Sequence, residues 1–338
     1  MLEGLELHAV CSAPGKLILF GEHAVVYGHP AIAAATDQRT AVEVACCGDR
    51  FTVNGFRIHE RFHSYILTAV QLAWKRPDPV RIQTEGGVPS ASGTGSSAAL
   101  TTATVGALLK LQGNTSLLKV AQEAFRVERT TQGGGSPTDT STATAGGAIA
   151  IAGRDNAPRV GEKLWEVVWD KPGEERSWAV ERIRIPDLFV VIGNSGVKGR
   201  TDEQVAKVAH AARKNALVRD RLAEIGALTR DAVPLLARRD LVAVGALMDR
   251  AHAALHTLGV NHPAVENLVL AARAAPGTLG AKITGAGGGG SMFALTENPQ
   301  AAARAITDAG GTAYVVRLGG PGVQFHDSIT ELPLAAKD

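Results

Sequence analysis

A loop of small residues that runs directly into an Ala-rich helical pattern constrains this chain more than any other stretch. Residues 88–103 read VPSASGTGSSAALTTA, with Gly93 and Gly95 just before the first helical positions. Glycine lets the backbone approach an anion closely, and the free N–H groups and the dipole at a helix start favour a phosphate. A P-loop places lysine after its second glycine, where this chain has Ser96. The stretch therefore indicates either a phosphate cradle of another kind or an ordinary glycine turn that caps a helix.

Composition favours a soluble globular protein of two domains. The chain has 338 residues, and a domain averages about 150. Hydrophobic residues make up 45% and charged residues 20%, and we find neither a transmembrane run nor a secretory signal, so we expect a cytoplasmic protein without a membrane partner. The net charge of +2 and the aromatic content of 4% give nucleic-acid binding little support.

The cysteines and one histidine pair give no sign of a disulfide framework or a transition-metal site. Cys11, Cys46 and Cys47 lack the CxxC spacing of metal ligands, and we expect them to be reduced and packed. His252 and His256 lie four residues apart, as ligands on a helix do, but no HExxH glutamate and no third ligand accompany them. A polar or substrate-facing role for these histidines is the better interpretation.

The first part of the chain predicts a mixed α and β domain. Residues 6–12 and 32–45 alternate like strands, and between them residues 13–30 read as a turn, an apolar strand and a second glycine turn. A helix is expected over 62–75, and a further strand over 81–84 leads into the glycine loop.

Lys16 stands between a Pro-Gly turn and an apolar run. A charge in that place must find water or a partner. It is therefore either a solvated lysine at a strand end or a member of a site, and its position alone does not decide between them.

The helix expected from about residue 115 directs a carboxylate inward. Its apolar face contains Leu117, Leu118, Ala121, Ala124 and Phe125. Helical spacing carries Glu128 onto the same face, while Arg126 and Arg129 point elsewhere. A buried carboxylate needs a cation, a metal or several hydrogen bonds. The alternative is a helix that frays before Glu128 and leaves it in solvent.

Asp139 follows a triple glycine in a hydroxyl-rich loop that is otherwise uncharged. Such a loop can hold an acid rigidly and shield it, although a capping or Asx-turn aspartate is a common alternative.

The second half of the chain is mainly helical and contains another glycine loop. We expect hairpins over 154–184 and place a domain boundary near Pro186, which gives domains of residues 1–186 and 187–338. The further expected elements are a strand at 188–193, helices at 201–225, 240–258 (after a break at Pro234) and 263–274, a glycine loop between two strands at 281–295, and a helix followed by a strand at 299–316.

Three segments taken together resemble the three signature motifs of the GHMP kinase superfamily. Residues 13–28 resemble the first motif, 89–99 the second and 282–291 the third, in the same order and spacing. Each is a weak glycine pattern alone, but the ordered set is specific and covers nearly the whole chain. The GEHAVV run at 21–26 resembles the mevalonate kinase family, of archaeal type.

The resemblance implies an α+β fold of two domains. The amino-terminal domain would be like ribosomal protein S5 domain 2, the carboxy-terminal domain would be ferredoxin-like, and the active site would lie in the cleft between them. It also implies Mg²⁺ and ATP as cofactors, mevalonate as substrate and a homodimer. The implied reaction is phosphorylation of the C5 hydroxyl of mevalonate in isoprenoid biosynthesis.

Site residues follow from the same resemblance, position by position. Asp139 matches the catalytic aspartate, Lys16 the first-motif lysine and Glu128 the magnesium-binding glutamate. A serine, Ser96 or Ser97, would add a metal ligand, and we select Ser97. ATP would lie along Pro89, Ser90, Ala91, Ser92, Gly93, Thr94, Gly95, Ser96, Ser97 and Ala98; the substrate would lie near Glu22, His23, Thr201 and Gly287.

The chain departs from the family pattern at two places, and this leaves several alternatives open. Thr94 stands where leucine is usual, and the aspartate loop reads Ser-Pro-Thr-Asp at 136–139. Phosphomevalonate kinase, mevalonate 3-kinase and homoserine kinase would use the same fold. Diphosphomevalonate decarboxylase fits less well, because it lacks the Gly-Lys of the first motif. From another class, a non-catalytic nucleotide sensor is the alternative.

Overall fold

The computed structural model describes residues 7–46, 49–88, 93–153 and 159–329. The strands of the first part are β1 (His8–Phe20), β2 (Ala31–Cys46), β3 (Thr52–Val53), β4 (Phe56–Arg57), β5 (Val80–Gly86), β6 (Ala148–Gly153), β7 (Glu162–Lys171) and β8 (Glu174–Ile183). Its helices are α1 (Glu60–Ala73), α2 (Ser96–Leu111), α3 (Leu117–Gln132) and α4 (Thr138–Ala145), and a short 3₁₀ turn spans Ala24–Tyr27.

The second part contains longer helices and a small antiparallel sheet. Its elements are β9 (Leu188–Asn194), α5 (Thr201–Lys214), α6 (Ala216–Ala237), α7 (Leu241–Thr257), α8 (Pro263–Ala274), β10 (Thr278–Thr284), β11 (Ser291–Thr296), α9 (Pro299–Asp308), β12 (Thr312–Leu318) and β13 (Gln324–His326). The fold is therefore the mixed α and β architecture that the sequence predicts.

Strand β2 is the central element of the first part. It pairs antiparallel with β1, β5 and β6, and β6 pairs in turn with β8 of the β7–β8 hairpin. Helices α1, α2 and α3 cover one face of this sheet and share an apolar core with β1, β2 and β5. The loops at the ends of β1, α2 and α3 are thereby held on a rigid support.

The small residues of α2 allow the helix to pack closely against the sheet. The helix is buried along most of its length, which is typical of a helix that is apolar all round. A Cβ atom on Gly106 would lie 2.5 Å from Sγ of the buried Cys11 on β1. Small side chains therefore let α2 lie close against the sheet and fix where its amino terminus points.

The second part joins the first through strand pairing. Its strands run β10–β11–β9–β12, and β12 meets β2 where Leu318 pairs with Thr36. Helices α6 to α9 bury the apolar residues of these strands. Strand β13, which the sequence did not predict, pairs with β1. The boundary near Pro186 stays a prediction.

The structure corrects several local predictions. No turn interrupts β1 at Pro14-Gly15: the strand continues with a shift in register between Pro14 and Lys16. Asp139 lies in the first turn of α4 and not in a loop. The long helix expected over 201–225 breaks at Asn215, whose side chain caps α6, while Pro234 lies inside α6 and does not end it.

Helix α3 also differs from its predicted pattern in its outer residues. Leu117 and Leu118 are exposed although they were assigned to the apolar face, and Arg129 is buried although it was expected to point away. The aromatic rings of Phe125 and Trp169 cover the Arg129 guanidinium, which accounts for its burial.

The described residues contain two of the three cysteines. Cys11 and Cys46 are free thiols there, and Cys47 lies outside them. Within the ranges given above, none of the helices has the length and hydropathy of a membrane span.

His252 hydrogen-bonds Glu266 at 2.8 Å and accepts from the backbone N–H of Ile283, so it has a structural role between α7, α8 and β10.

Candidate active site

A cleft of about 680 Å³ lies where the glycine loops of the chain converge. It is lined by the end of β1, the start of α2, the inner face of α3, the start of α4, the segment that leads into α5 and the β10–β11 loop. The described site residues that the sequence predicts and that line it are Lys16, Glu22, His23, Gly93, Gly95, Ser96, Ser97, Glu128, Asp139, Thr201 and Gly287.

The phosphate-loop residues form the floor of this cleft. Helix α2 begins at Ser96, and its amino-terminal cap, Gly95, has a left-handed backbone with φ 79°. A Cβ atom at Gly95 would lie 2.7 Å from Cγ of Lys16, so both the backbone angle and the packing require glycine. Thr94 and Ala98 are buried behind the loop. Pro89, Ser90, Ala91 and Ser92 lie outside the described residues.

Lys16 and Asp139 form the charged centre of the cleft. Nζ of Lys16 lies 3.1 Å from Oδ2 of Asp139 and donates to the carbonyl of Gly93 at 3.1 Å. The Lys16 side chain is 4% exposed and that of Asp139 is 31% exposed. The lysine therefore has the partner that its place in the chain demands, while the carboxylate can still be reached from the cleft.

Glu128 faces inward from α3, and that prediction is confirmed. It is buried, and desolvation together with the nearby charge of Asp139 raises its pKa to about 8, although Lys16 and hydrogen bonds from Gln132 and Ser97 oppose the rise. Nε2 of Gln132 donates to Oε1 of Glu128 at 3.1 Å. Further positive charge beside the carboxyl group would lower this pKa.

Tyr65 completes a hydrogen-bonded network around Glu128. Its hydroxyl accepts from Nε2 of Gln132 at 3.1 Å and is hydrogen-bonded to Ser97. Desolvation raises the pKa of Tyr65, with a smaller contribution from Glu128. Ser97 thus lies between Tyr65 and Glu128, and both of its partners come from helices that pack beside α2.

These oxygen donors fit a magnesium ion. Mg²⁺ in phosphoryl-transfer sites is bound by one or two carboxylates together with substrate phosphates and water. The described residues contain no cluster of three His, Cys, Asp or Glu side chains suited to a metal, so a site built wholly from protein carboxylates and histidines is excluded there. Glu128 and the Ser97 hydroxyl are hard oxygen donors, and burial together with the nearby charge of Asp139 raises the pKa of Glu128.

Glu22 and His23 follow shortly after β1 and also line the cleft. Glu22 is buried and pairs with the ammonium of Lys282. Burial raises the pKa of Glu22, and Lys282 opposes that rise. His23 has a positive φ of 61°, and its Nε2 donates to the carbonyl of Ala286 at 2.9 Å. Burial lowers the pKa of His23, which favours the neutral ring.

The last two predicted residues, Thr201 and Gly287, also line the cleft. Thr201 is the first residue of α5 and is exposed. Gly287 has φ 76°, and a Cβ atom there would lie 2.2 Å from the carbonyl oxygen of Val260, so this position also requires glycine.

Sequence reasoning missed four residues that the structure brings to or near the site: Tyr65, Arg129, Gln132 and Lys282. Arg129 donates to the carbonyl of Gly135 at 2.6 Å and pairs with Glu174, which fastens the glycine segment before α4 to the β7–β8 hairpin. Gln132 lies four residues after Glu128 and could have been found from helical spacing. Tyr65 lies on a distant helix and carries no local signal.

Known proteins resemble this chain over nearly its whole length. The family of GHMP kinases N terminal domains matches residues 61–147, and the family of GHMP kinases C terminal domains matches residues 232–314. Mevalonate kinase of Pyrococcus furiosus is 32% identical over 358 residues, covering 96% of this chain and 100% of the relative. Mevalonate kinase of Methanothermobacter thermautotrophicus is 36% identical over 293 residues, covering 84% and 88%.

Solved structures share the fold. Mevalonate kinase of Methanococcus jannaschii superposes with a TM-score of 0.71 at 24% identity, covering 93% of this chain and 99% of its own. The Leishmania major enzyme in complex with R-mevalonate superposes with a TM-score of 0.70 at 23% identity, covering 92% and 96%.

Proposed function

The chain belongs to the mevalonate kinases of the GHMP kinase family, and from that premise we propose how its cleft transfers the γ-phosphoryl group of ATP to the C5 hydroxyl of mevalonate. The observation that carries the proposal is the Lys16–Asp139 pair, which joins a carboxylate to the phosphate loop through one ammonium group. Phosphoryl transfer needs a group that takes the attacking proton and oriented positive charge near the phosphate, and this pair supplies both.

Asp139 is the proton acceptor in this proposal. Its carboxylate lies at the start of α4, where the helix dipole favours an anion, and it is open to the cleft. The C5 hydroxyl gives its proton to Asp139 as its oxygen attacks the γ-phosphorus, and ADP leaves in line. Lys16 pairs with the carboxylate at 3.1 Å and stabilises charge that develops on the transferring group.

The start of α2 holds the nucleotide phosphates. The backbone N–H groups of Ser96, Ser97 and Ala98 lie in the first turn of a helix, which is a favourable place for a phosphate. Glu128 and Ser97 are the residues that would hold Mg²⁺, and the ion would neutralise phosphate charge when bound. The hydrogen bond between Ser97 and Glu128 supports Ser97 over Ser96 as the ligand.

Glu22, His23, Thr201 and Gly287 are proposed to surround mevalonate. Oε2 of Glu22 would accept from a substrate hydroxyl, and the His23 ring and the Thr201 hydroxyl would add polar contacts. Beyond the site, we propose a cytoplasmic homodimer, because homodimers are common in the family; light scattering after size exclusion tests the oligomeric state.

A coupled ADP-release assay with a panel of acceptors tests the function. Mevalonate should give turnover well above phosphomevalonate and homoserine. ³¹P NMR of the product should show a phosphate ester at C5, which excludes a mevalonate 3-kinase. Release of carbon dioxide would instead indicate a decarboxylase, and nucleotide binding without turnover of any acceptor would indicate a sensor.

A further inference from the structure

We propose that Lys282 is a positioning residue for mevalonate: it holds Glu22 ionised, with one carboxylate oxygen free for a hydroxyl of the acceptor. The assignment rests on the proposed function, because it names the group that prepares the acceptor side of the same cleft.

The pair joins two distant segments of the chain in the protein interior. Lys282 lies on β10 and Glu22 directly follows β1; the Lys282 side chain is 0% exposed and the Glu22 side chain 1% exposed. The ammonium donates to Oε1 of Glu22 and, at 2.8 Å, to the carbonyl of Ile283, and it lies 5.3 Å from the centre of the Phe293 ring. All of its near partners are therefore protein groups, and it is turned toward Glu22.

The two carboxylate oxygens of Glu22 differ in what they contact. Oε1 accepts from Lys282, whereas Oε2 is buried and has no hydrogen-bond partner among the described residues. Glu22 lines the cleft, and Lys282 is not among the lining residues that the structure describes. A buried carboxylate oxygen without a partner is costly, so Oε2 is a vacant acceptor for a donor that arrives in the cleft.

Stability alone does not account for such a pair. Replacing a buried ion pair with apolar residues of similar volume is often neutral or stabilising, whereas removing one partner leaves a costly buried charge. The backbone beside the pair is also restrained, because His23 has φ 61° and is hydrogen-bonded to Ala286 of the β10–β11 loop. Glu22 is thus held by Lys282 on β10, and its neighbour His23 is held by the loop that follows the same strand.

Ionisation of Glu22 determines what it can recognise. A carboxylate only accepts hydrogen bonds, so Oε2 requires a donor such as a hydroxyl, while a protonated acid would also donate. Without Lys282, burial disfavours the charged form of Glu22. The variant would then present an acid that no longer pairs selectively with the substrate hydroxyl.

The test compares Lys282→Met, Glu22→Gln and the double variant with the wild-type chain. Titration calorimetry with mevalonate, in the presence of a non-hydrolysable ATP analogue, measures binding, and steady-state assays measure KM and kcat. We expect Lys282→Met to weaken mevalonate binding and raise KM by about tenfold or more, as for a lost hydrogen bond to a charged group. The affinity for the ATP analogue should stay within about threefold of wild type, because the near partners of the Lys282 ammonium are Glu22, the carbonyl of Ile283 and the Phe293 ring, none of which belongs to α2 or its loop.

The double variant separates positioning from mere structure. It contains no lone buried charge, so its thermal midpoint should recover relative to Lys282→Met while its mevalonate affinity stays low. It also keeps the test decisive if Lys282→Met fails to fold. As a control, Arg317→Met with Asp187→Asn removes an exposed ion pair and should change neither the mevalonate affinity nor the thermal midpoint.

Two results overturn the assignment: wild-type mevalonate affinity in Lys282→Met, or recovery of affinity together with stability in the double variant. A wild-type chain that binds the ATP analogue but neither binds nor phosphorylates mevalonate overturns the proposed function instead, and the assignment with it.

Discussion

Lys16 of β1 places its ammonium 3.1 Å from the carboxylate of Asp139 and 3.1 Å from the carbonyl oxygen of Gly93. The backbone N–H of Lys16 also donates to the carbonyl of Thr94 at 2.8 Å. A single residue is therefore bound both to the acid of α4 and to the loop that begins α2. A shift of β1 relative to the loop before α2 would therefore break the contacts of Lys16 with Gly93 and Thr94.

The first expected outcome concerns Asp139. Asp139→Asn keeps the shape of the side chain but cannot accept the proton, so turnover should fall on the order of a hundredfold to ten-thousandfold. ATP affinity, measured by calorimetry, should change little. Asp308→Asn, on the exposed end of α9, is the matched control. Turnover within a fewfold of wild type would remove Asp139 from this role.

Lys16→Met tests the cation that joins the base to the loop. The variant removes one oriented positive donor near the transferring group, so kcat should fall by about a hundredfold. Lys171→Met, on the exposed end of β7, should leave kcat unchanged. If Lys16→Met lowers only the affinity for ATP and leaves kcat intact, Lys16 binds the nucleotide without acting on the reaction.

Many residues that line the cleft could be predicted from the sequence because they lie in short motifs. Glycines at 93, 95 and 287 have positive φ, and glycine in a sequence indicates where such backbone angles are needed. The inward tilt of Glu128 followed from helical period alone. The rigid placement of Asp139 was expected, but its helix was not, because a run of Thr and Ser reads as a loop.

The rest depends on contacts between distant segments. Tyr65 reaches Ser97 from α1, and Lys282 reaches Glu22 across the fold. Nothing close to Tyr65 or Lys282 in the sequence indicates which residue its side chain contacts. Arg129 was expected to point away from the apolar face of α3, because nothing near it in the sequence shows that Trp169 lies over its guanidinium.

Tyr65→Phe tests whether the network around Ser97 supports metal binding. The variant removes the hydroxyl that contacts Ser97 and Gln132 but keeps the ring. Loss of such an orienting partner typically weakens metal affinity by about tenfold or more. The measurement is Mn²⁺ binding with an ATP analogue, followed by electron paramagnetic resonance. Tyr314→Phe on β12 is the control, and identical titrations for wild type and Tyr65→Phe would contradict the expectation.

Glu128→Gln tests the proposed metal ligand directly. It replaces an anionic oxygen with a neutral amide, and Mg²⁺ prefers hard, charged oxygen. The midpoint of activity against free Mg²⁺ at saturating ATP should move clearly upward, and added metal should recover part of the lost rate. Glu123→Gln is a close control, because Glu123 lies buried on the same helix but pairs with Lys119. Overlapping midpoints for wild type and Glu128→Gln would remove Glu128 from the metal site.

Glu128→Gln also tests how the stability of the folded chain depends on pH. The folded-state pKa of Glu128 is raised from 4.5 to about 8, so between those values the folded chain binds a proton that the unfolded chain has lost. Stability from this group is then fully present below about pH 4.5 and decreases as pH rises through about 8. The amide does not titrate. In EDTA and without nucleotide, the stability of Glu128→Gln relative to wild type should therefore increase between pH 6 and pH 8.5, by an amount on the order of 1 kcal/mol or more.

Denaturant unfolding of both chains at several pH values measures this difference, with Glu123→Gln beside them. Mg²⁺ and an ATP analogue should stabilise the wild-type chain more than the variant at high pH, because the ionised carboxylate then has a cation to bind. Stability curves for Glu128→Gln and wild type that stay parallel across the whole range would mean that the carboxyl group is already solvated or paired in the folded chain. The cleft would then not be short of positive charge, and the electrostatic reason for placing a metal beside Glu128 would be lost even if the enzyme needs magnesium.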